Sequence, residues 1–296
     1  MATQKKKPES KTPKNITASY AADDDRGVRW ENQTPGSLER LRKRSGGVCL
    51  LPLGVIEPHG EHLPLGIDSL RSHALCEGAA RIEPAVVFPP VFLGAIPEGR
   101  YQMGTIAIPV QLSLELLIAT ADEIARNGFH KILILNGHGG HKGLLGFWFQ
   151  RHLESRRDYF LYLSKAQSTP GLKDKVYTSK HFEHACEHET SLALALHPDL
   201  VDMAAVPQEP GVDHPRAATL KNFQTPLDWY VRSPRFYSGD ARPSTARNGR
   251  VMAENMTTNL AGFIRQVRKD RLLPRLQREF HRQSLKNAHP SPSNRR

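Results

Sequence analysis

At 296 residues, 39% of them hydrophobic, the chain is long enough to bury one large core or two smaller ones. Its formal net charge is +11, but residues 1–16 carry +4 and residues 268–296 carry +7, so residues 17–267 are formally neutral and a basic field over the body is excluded. Three cysteines without a CxxC pair exclude a disulfide framework, and no run approaches the roughly 18 apolar residues of a membrane-spanning helix.

Residues 1–35 are polar and charged, with Asp23-Asp24-Asp25 and several prolines. They read as a flexible lead-in from which Trp30 can dock on the body. The first segment, MATQKKKPESKTPK, has no apolar centre and does not read as a secretory signal, and the three cysteines, odd in number and without a CxxC, make a reducing cytoplasm the simplest compartment. A short helix is predicted over 36–45, with Ser37 as its N-cap, and the apolar run 48–53 reads as a buried strand.

After that strand comes EPHGEHLPLGID, which places Glu57, His59, Glu61, His62 and Asp68 within twelve residues. Pro58, Gly60, Pro64 and Gly66 rule out a helix, so these side chains project from an irregular loop at a strand end, where α/β proteins carry their sites. A helix over 69–82 follows, capped by Ser69, then a strand over 86–88 and a Gly/Pro-rich loop over 93–104 at the site mouth. The spacing of Leu114, Leu117, Ile118, Ala121, Ile124 and Ala125 predicts a helix over 114–127, with Ser113 as N-cap and Gly128 at its C-terminal end. Residues 131–135, KILIL, read as a strand ending in Asn136-Gly137-His138-Gly139-Gly140.

A helix over 142–155 and a strand over 159–163 complete a β–α alternation, which implies a parallel sheet covered on both faces. Residues 164–183 are polar and irregular, a candidate lid. His184-Ala185-Cys186-Glu187-His188-Glu189-Thr190-Ser191 opens a helix that ends before Pro198, with His188 toward solvent. Residues 204–235 are Pro-rich, and a long helix is predicted over 244–268. The organisation is thus a flexible segment 1–35, one folded domain over 36–268, and a solvated basic tail over 269–296.

Three loops carry the reactive residues: Glu57, His59 and Asp68; then His138; then His184, Glu187 and Glu189. Carboxylates mixed with imidazoles, without thiolates, suit Zn²⁺, Mn²⁺ or Fe²⁺. Glu57 and His59 lie two apart in an extended loop and point different ways, which suits two ions better than one, with Asp68 bridging. Two ions about 3.5–4 Å apart can hold a shared hydroxide and polarise a carbonyl, and His184 can shuttle a proton to a leaving nitrogen. Each residue also has a plainer reading. His138 can be a structural hydrogen-bonder, His62 can brace the loop, and Glu187 and Glu189 can be first-turn acids favoured by a helix dipole.

Together, LPLGVIEPHGEHLPLGID, ILNGHGG, HACEHETSLALALHP and, more loosely, YSGDARPSTARNG resemble the creatininase family, the creatinine amidohydrolase-like metal-dependent hydrolases. The resemblance implies a three-layer α/β/α sandwich around a mainly parallel sheet, two divalent ions per subunit, a small-molecule amide substrate, and a homo-oligomer, often a hexamer. It puts Glu57, Asp68 and His138 on one ion and His59 and Asp68 on the other, with His184 as the catalytic histidine. Creatininases carry an aromatic residue and a ligating glutamate just after the NGH histidine. Gly139 and Gly140 stand there in this chain, so the ligand role moves to Glu189. The implied reaction is hydrolysis of a C–N amide, cyclic amide or formamide bond. The alternative is a non-catalytic polyanion-binding protein that uses the same fold with its basic ends.

Overall fold

The computed structural model describes residues 26–164 and 168–288. Residues 1–25 of the expected lead-in, 165–167 of the expected lid and 289–296 of the expected tail lie outside the described residues. Trp30 does dock, its ring packing on Phe88 and Phe129 with centroids 5.5 and 5.0 Å away.

Helix α1 (Pro35–Ser45) starts one residue earlier than its sequence suggests. Thr34, not Ser37, is the N-cap; its side chain accepts from the Ser37 amide while Ser37 reaches back, and Pro35 occupies the first turn, where no amide donor is missed. Strand β1 (Val48–Leu53) follows, then α2 (Ile67–Ile82), β2 (Val86–Val87), α3 (Val110–Arg126), β3 (Lys131–Asn136), α4 (Lys142–Glu154) and β4 (Phe160–Leu163). The last strand and both early helices differ from expectation only at their ends. Ser69 does not cap α2, which begins at Ile67; its hydroxyl donates to the Val91 carbonyl instead. Ser113 does not cap α3; Pro109 precedes the first turn and Ser113 is buried within it.

The four strands pair in parallel in the order β2-β1-β3-β4. Alternation along them sends side chains to opposite faces. Leu50, Val87, Leu133 and Leu135 face one layer, where Leu75, Cys76 and Ala79 of α2 meet. That layer is completed by Leu192 of α6 (Glu187–Leu196) and by Met252, Met256, Leu260 and Ile264 of α8 (Ala246–Lys269). Cys49, Leu51, Leu53, Ile132 and Ile134 face the other layer, built from Leu41 of α1, Leu117, Ala121 and Ile124 of α3, and Leu144, Leu145 and Trp148 of α4. The result is helices on both faces of a parallel sheet, as expected. Each fully buried Leu or Ile contributes about 1.5–3 kcal/mol, and both layers hold several.

Between β4 and α8 the chain builds the site's far wall. Helix α5 (Leu172–Val176) precedes β5 (Phe182–His184), and α7 (Asp228–Arg232) precedes β6 (Ser238–Gly239), which pairs antiparallel with β5. The segment expected as a lid is pinned where it is described. Tyr177 is buried, and the Thr178 and Ser179 amides donate to the Glu187 carboxylate at 3.1 and 2.7 Å.

The expected basic tail requires correction. Residues Leu272–Ala288 form helix α9. Gln277 on it is buried, and its amide donates to the Tyr159 carbonyl at 2.9 Å and the Arg157 carbonyl at 3.2 Å. His152 of α4 meets its carbonyl oxygen at 3.0 Å. Charge content alone suggested a solvated tail, but these buried polar contacts fix one side of the helix to the body. Among the described residues no helix is long and apolar enough to cross a membrane.

Candidate metal centre

Strands β1 and β3 are neighbours, and their last residues, Leu53 and Asn136, are register partners. The loops after them therefore start side by side. The first carries Glu57 and His59, and α2 presents Asp68 in its first turn. The second carries His138. Gly137 makes this closeness possible: a Cβ there would lie 2.4 Å from the Asp68 carbonyl oxygen and 2.8 Å from that of Leu53.

Glu57, His59, Asp68, His138 and His184 are all buried, and Glu189 keeps 12% of its side chain exposed. Asp68 is central. One carboxylate oxygen, Oδ1, lies 3.3 Å from His59 Nε2, and the other, Oδ2, lies 3.2 Å from His138 Nδ1. His138 Nδ1 is also 2.7 Å from Glu57 Oε1, and His59 Nε2 is 3.7 Å from Glu189 Oε2. Three overlapping groups offer ligand atoms within 4.8 Å of one another, and two of them, Glu57/Asp68/His138 and His59/Asp68/Glu189, share Asp68; the third is Glu57/His59/His184. His59 Nε2 and Asp68 Oδ2 are buried without a hydrogen-bond partner, a cost that a cation in the gap would remove. His59 Nδ1 is 3.2 Å from the Glu57 carbonyl, which can only accept, so Nδ1 carries the proton and Nε2 is left for a ligand role. The donor set fits divalent ions.

The charges are arranged accordingly. Burial alone would raise the Asp68 carboxyl, but the His59 and His138 imidazoles and Arg71 hold it well below the usual carboxylate range. Burial would lower both imidazoles; the Asp68 charge lifts His59 to about 9, and the Glu57 charge leads the lift of His138 to about 10. Burial wins at Glu57, whose carboxyl is pushed up to about 7 against the pull of His138.

The third loop closes the site. The Ala185 backbone adopts a left-handed conformation, φ 54°, and its amide donates to Glu189 Oε2 at 2.8 Å. His184 stacks near His59, ring centroids 4.1 Å apart, and its Nε2 lies 2.7 Å from the Pro58 carbonyl. A carbonyl cannot donate, so Nε2 holds the proton and Nδ1 is the basic nitrogen. Burial, then the His59 charge, depresses His184 to about 3, so the ring is neutral at pH 7.

Of the sequence-derived candidates, Glu57, His59, Asp68, His138, His184 and Glu189 converge. Glu187 does not; it anchors the 178–179 segment. His62 braces the loop, as expected, with Nε2 2.9 Å from Thr190 Oγ1. His188 does not face open solvent; its Nδ1 lies 3.2 Å from the Tyr177 hydroxyl. Sequence reasoning missed Arg71, which is buried and donates to Glu189 Oε1 at 2.8 Å and to the Gly137 carbonyl at 2.7 Å. Its position three residues after Asp68, on the same helix face, was the available signal. It also missed Trp229 and Phe236, whose rings lie 5.6 and 5.1 Å from His184 and wall the site with aromatic surface. Trp229 lies in the Pro-rich segment and Phe236 directly follows it, and no periodicity marks either.

Comparison with known proteins bears on this geometry. A family model described as creatinine amidohydrolase matches residues 31–264. Creatinine amidohydrolase of Pseudomonas putida is 26% identical over 237 residues, 74% of this chain and 89% of that protein. The 3-dehydro-scyllo-inosose hydrolase of Thermotoga maritima is 24% identical over 271 residues, 81% and 84% of the two chains. A mycofactocin precursor peptide peptidase of Mycolicibacterium smegmatis is 38% identical over 99 residues, 31% of this chain and 40% of that one. Among solved structures, a manganese creatininase superposes with TM-score 0.71 at 22% identity, covering 82% of this chain and all 100% of its own. A mutant creatininase of Zn–Zn type does so with TM-score 0.71 at 23% identity, over 82% and 99%.

Proposed function

This chain belongs to the creatininase family, and from that membership we propose that it is a metal-dependent amidohydrolase acting on a C–N amide, cyclic amide or formamide bond of a small molecule. The observation that carries the reading is the Asp68 carboxylate, set between His59 and His138 with one oxygen toward each. Glu57, Asp68 and His138 would hold one divalent ion, and His59, Asp68 and Glu189 a second. Zn is the leading candidate, with Mn or Fe as alternatives, and relatives solved with Mn and as a Zn–Zn type support that choice. Such ions would supply Lewis acidity and lower the pKa of a water molecule.

The chain's own residues supply the rest. A ligand role would leave His59 neutral and remove the charge that helps depress His184; His184, held by the Pro58 carbonyl, then takes a proton at Nδ1 from the attacking water and returns it to the departing nitrogen, which leaves as an amine. Arg71 holds Glu189 and Asp68 in place as anions. Trp229 and Phe236 shield the reacting bond from bulk water. The catalytic unit spans residues 36–268.

A homo-oligomer, a hexamer by family analogy, belongs to the reading. Met103, 95% exposed, and Phe147, 65% exposed, support burial against another copy. The three buried free cysteines support a reducing compartment such as the cytoplasm. One observation favours anion binding in addition. A depression of about 990 Å³ is lined by Arg156, Arg275, Arg278, Arg282 and Lys286, with Glu279, His281 and Leu285 among them, and includes none of the candidate metal residues. Because it is separate from the metal centre, it supports an added contact and not the non-catalytic alternative.

Metal analysis of the purified protein, followed by Asp68→Ala, tests the proposal. The expected result is stoichiometric divalent metal in the wild type, and metal loss with about a 10³-fold fall in amide hydrolysis in the variant, since the Lewis-acid term is worth several kcal/mol. A wild-type protein without metal, or a fully active variant, refutes it.

A further inference from the structure

The two ligand histidines are not equally supported. His59 has its second nitrogen fixed, Nδ1 donating to the Glu57 carbonyl at 3.2 Å. His138 turns Nδ1 toward Glu57 and Asp68, and its Nε2 is buried with no hydrogen-bond partner. A ligating imidazole ordinarily gives its other N–H to a carboxylate or carbonyl, which fixes the tautomer and the ring plane. A buried N–H without such a partner is costly.

One group stands ready. Glu98 Oε1 lies 3.9 Å from His138 Nε2. Its carboxylate has no other hydrogen-bond or ion-pair partner among the described residues. It is carried on a 3₁₀ turn, Pro97–Gly99, that the body holds on both sides. Ile96 before it is buried with Val55 and Phe236, and Gly99 after it is buried against Ile96, Phe236 and Thr105. Further along, Gln102 donates to the Pro234 carbonyl at 3.2 Å and Tyr101 to that of Ser233 at 3.3 Å. The carboxylate thus extends from a fixed base. Space for its approach depends on Gly140, where a Cβ would lie 2.4 Å from His138 Nε2 and 2.5 Å from Glu98 Oε1. Any side chain at 140 would occupy the gap through which these two atoms meet. An approach of about 1 Å brings the pair to hydrogen-bond length.

We propose that Glu98 is the positioning residue of His138: its carboxylate accepts the Nε2–H and so presents Nδ1, as a neutral ligand, beside Glu57 and Asp68. The inference rests on the reading of the site as a metal centre. It gives the 93–104 loop a second task besides lining the mouth, because any substrate that moves this turn also moves a ligand's support.

Zn²⁺ affinity, measured by competition with a chromophoric chelator on the intact protein, tests it in the wild type, Glu98→Ala and Glu98→Gln. Glu98→Ala is expected to weaken binding about 10–100-fold. Glu98→Gln is expected to restore most of it, because the amide oxygen still accepts from Nε2–H. Metal-free unfolding of both variants is expected to stay cooperative, with Glu98→Ala losing no more stability than one unpaired buried N–H costs, so that weaker Zn²⁺ binding is read on folded protein. Wild-type affinity in Glu98→Ala overturns the proposal. So does a Glu98→Gln variant as weak as Glu98→Ala, which would make Glu98 a direct ligand. Absence of binding by the wild type overturns this inference and the metal centre together, whereas the two variant outcomes overturn this inference alone.

Discussion

Arg71 Nη1 donates to Glu189 Oε1 at 2.8 Å, joining residues 118 positions apart at the edge of the ligand cluster. The guanidinium is the leading cation that keeps Glu189 ionised, and it adds to His59 and His138 in keeping Asp68 so. Removing one member of a buried ion pair costs roughly 3–5 kcal/mol, because the partner remains desolvated and uncompensated. Arg71→Leu should destabilise the metal-free protein by about that amount. A divalent ion supplies replacement charge, so added Zn²⁺ should raise the variant's unfolding midpoint more than the wild type's. Denaturant unfolding with and without chelator measures both, and equal metal-free stabilities would contradict this role for Arg71.

The raised imidazoles predict opposite pH trends for the metal-free and metal-bound protein. His59 and His138, at about 9 and about 10, keep protons in the folded chain that an unfolded chain releases near 6.5. That stability is complete below the unfolded value and is lost as pH rises through the folded values. His62, His141 and His184 are depressed to about 4, about 3 and about 3, so they are neutral throughout this range and add no slope. Metal-free stability should therefore fall between pH 7 and about 10, whereas metal affinity should rise, because ligands must shed those protons. Calorimetry with chelator, paired with metal titrations in buffers of different ionisation enthalpy, reads both trends. A metal-free midpoint that climbs with pH would be incompatible with protonated imidazoles.

Helix α9 should behave as part of the body. Gln277 satisfies two carbonyls and His152 in a buried position, and leaving such groups unpaired costs about 1–3 kcal/mol. Gln277→Leu should lower stability by that order, with little effect on metal content. A stability equal to that of the wild type would return the segment to the status of a solvated tail.

The aromatic wall should set substrate fit more than chemistry. Trp229 packs edge-on against His184 and Phe236, at 5.6 Å from each. Trp229→Ala should raise KM by more than it lowers kcat, and should leave metal stoichiometry intact. Steady-state kinetics with a cyclic amide substrate separates the two constants; a pure kcat defect would assign the ring to the chemistry instead.

The candidate residues on the loops after β1 and β3 were legible because local rules sufficed. Two apolar runs marked the strands, proline and glycine marked the loops, and parallel pairing brought Leu53 and Asn136 together. Asp68 followed from its closeness to the same loop. Glu98, Trp229 and Phe236 were not legible, because their approach depends on how long, aperiodic segments pack, and no residue spacing encodes that. Glu187 was read both as a site residue and as a first-turn acid, and the first turn of α6 is where it stands. Spacing alone could not separate it from Glu189; its acceptor role toward Thr178 and Ser179 does. Charge also outweighed pattern at the C-terminus, where Gln277 found its partners only in the folded state.

The absence of a side chain at Gly137 has a wider consequence. Main chain meets main chain there, so the separation between the two ligand-bearing loops is set by peptide geometry and not by the size of any core residue. Substitutions in the two apolar layers can accumulate without changing where Asp68 sits relative to His138. The loop carrying Trp229 is free of that constraint. A lineage built on this chain can therefore exchange substrates by rewriting its rim while inheriting the same reactive centre, and its tolerance for drift should end abruptly at position 137.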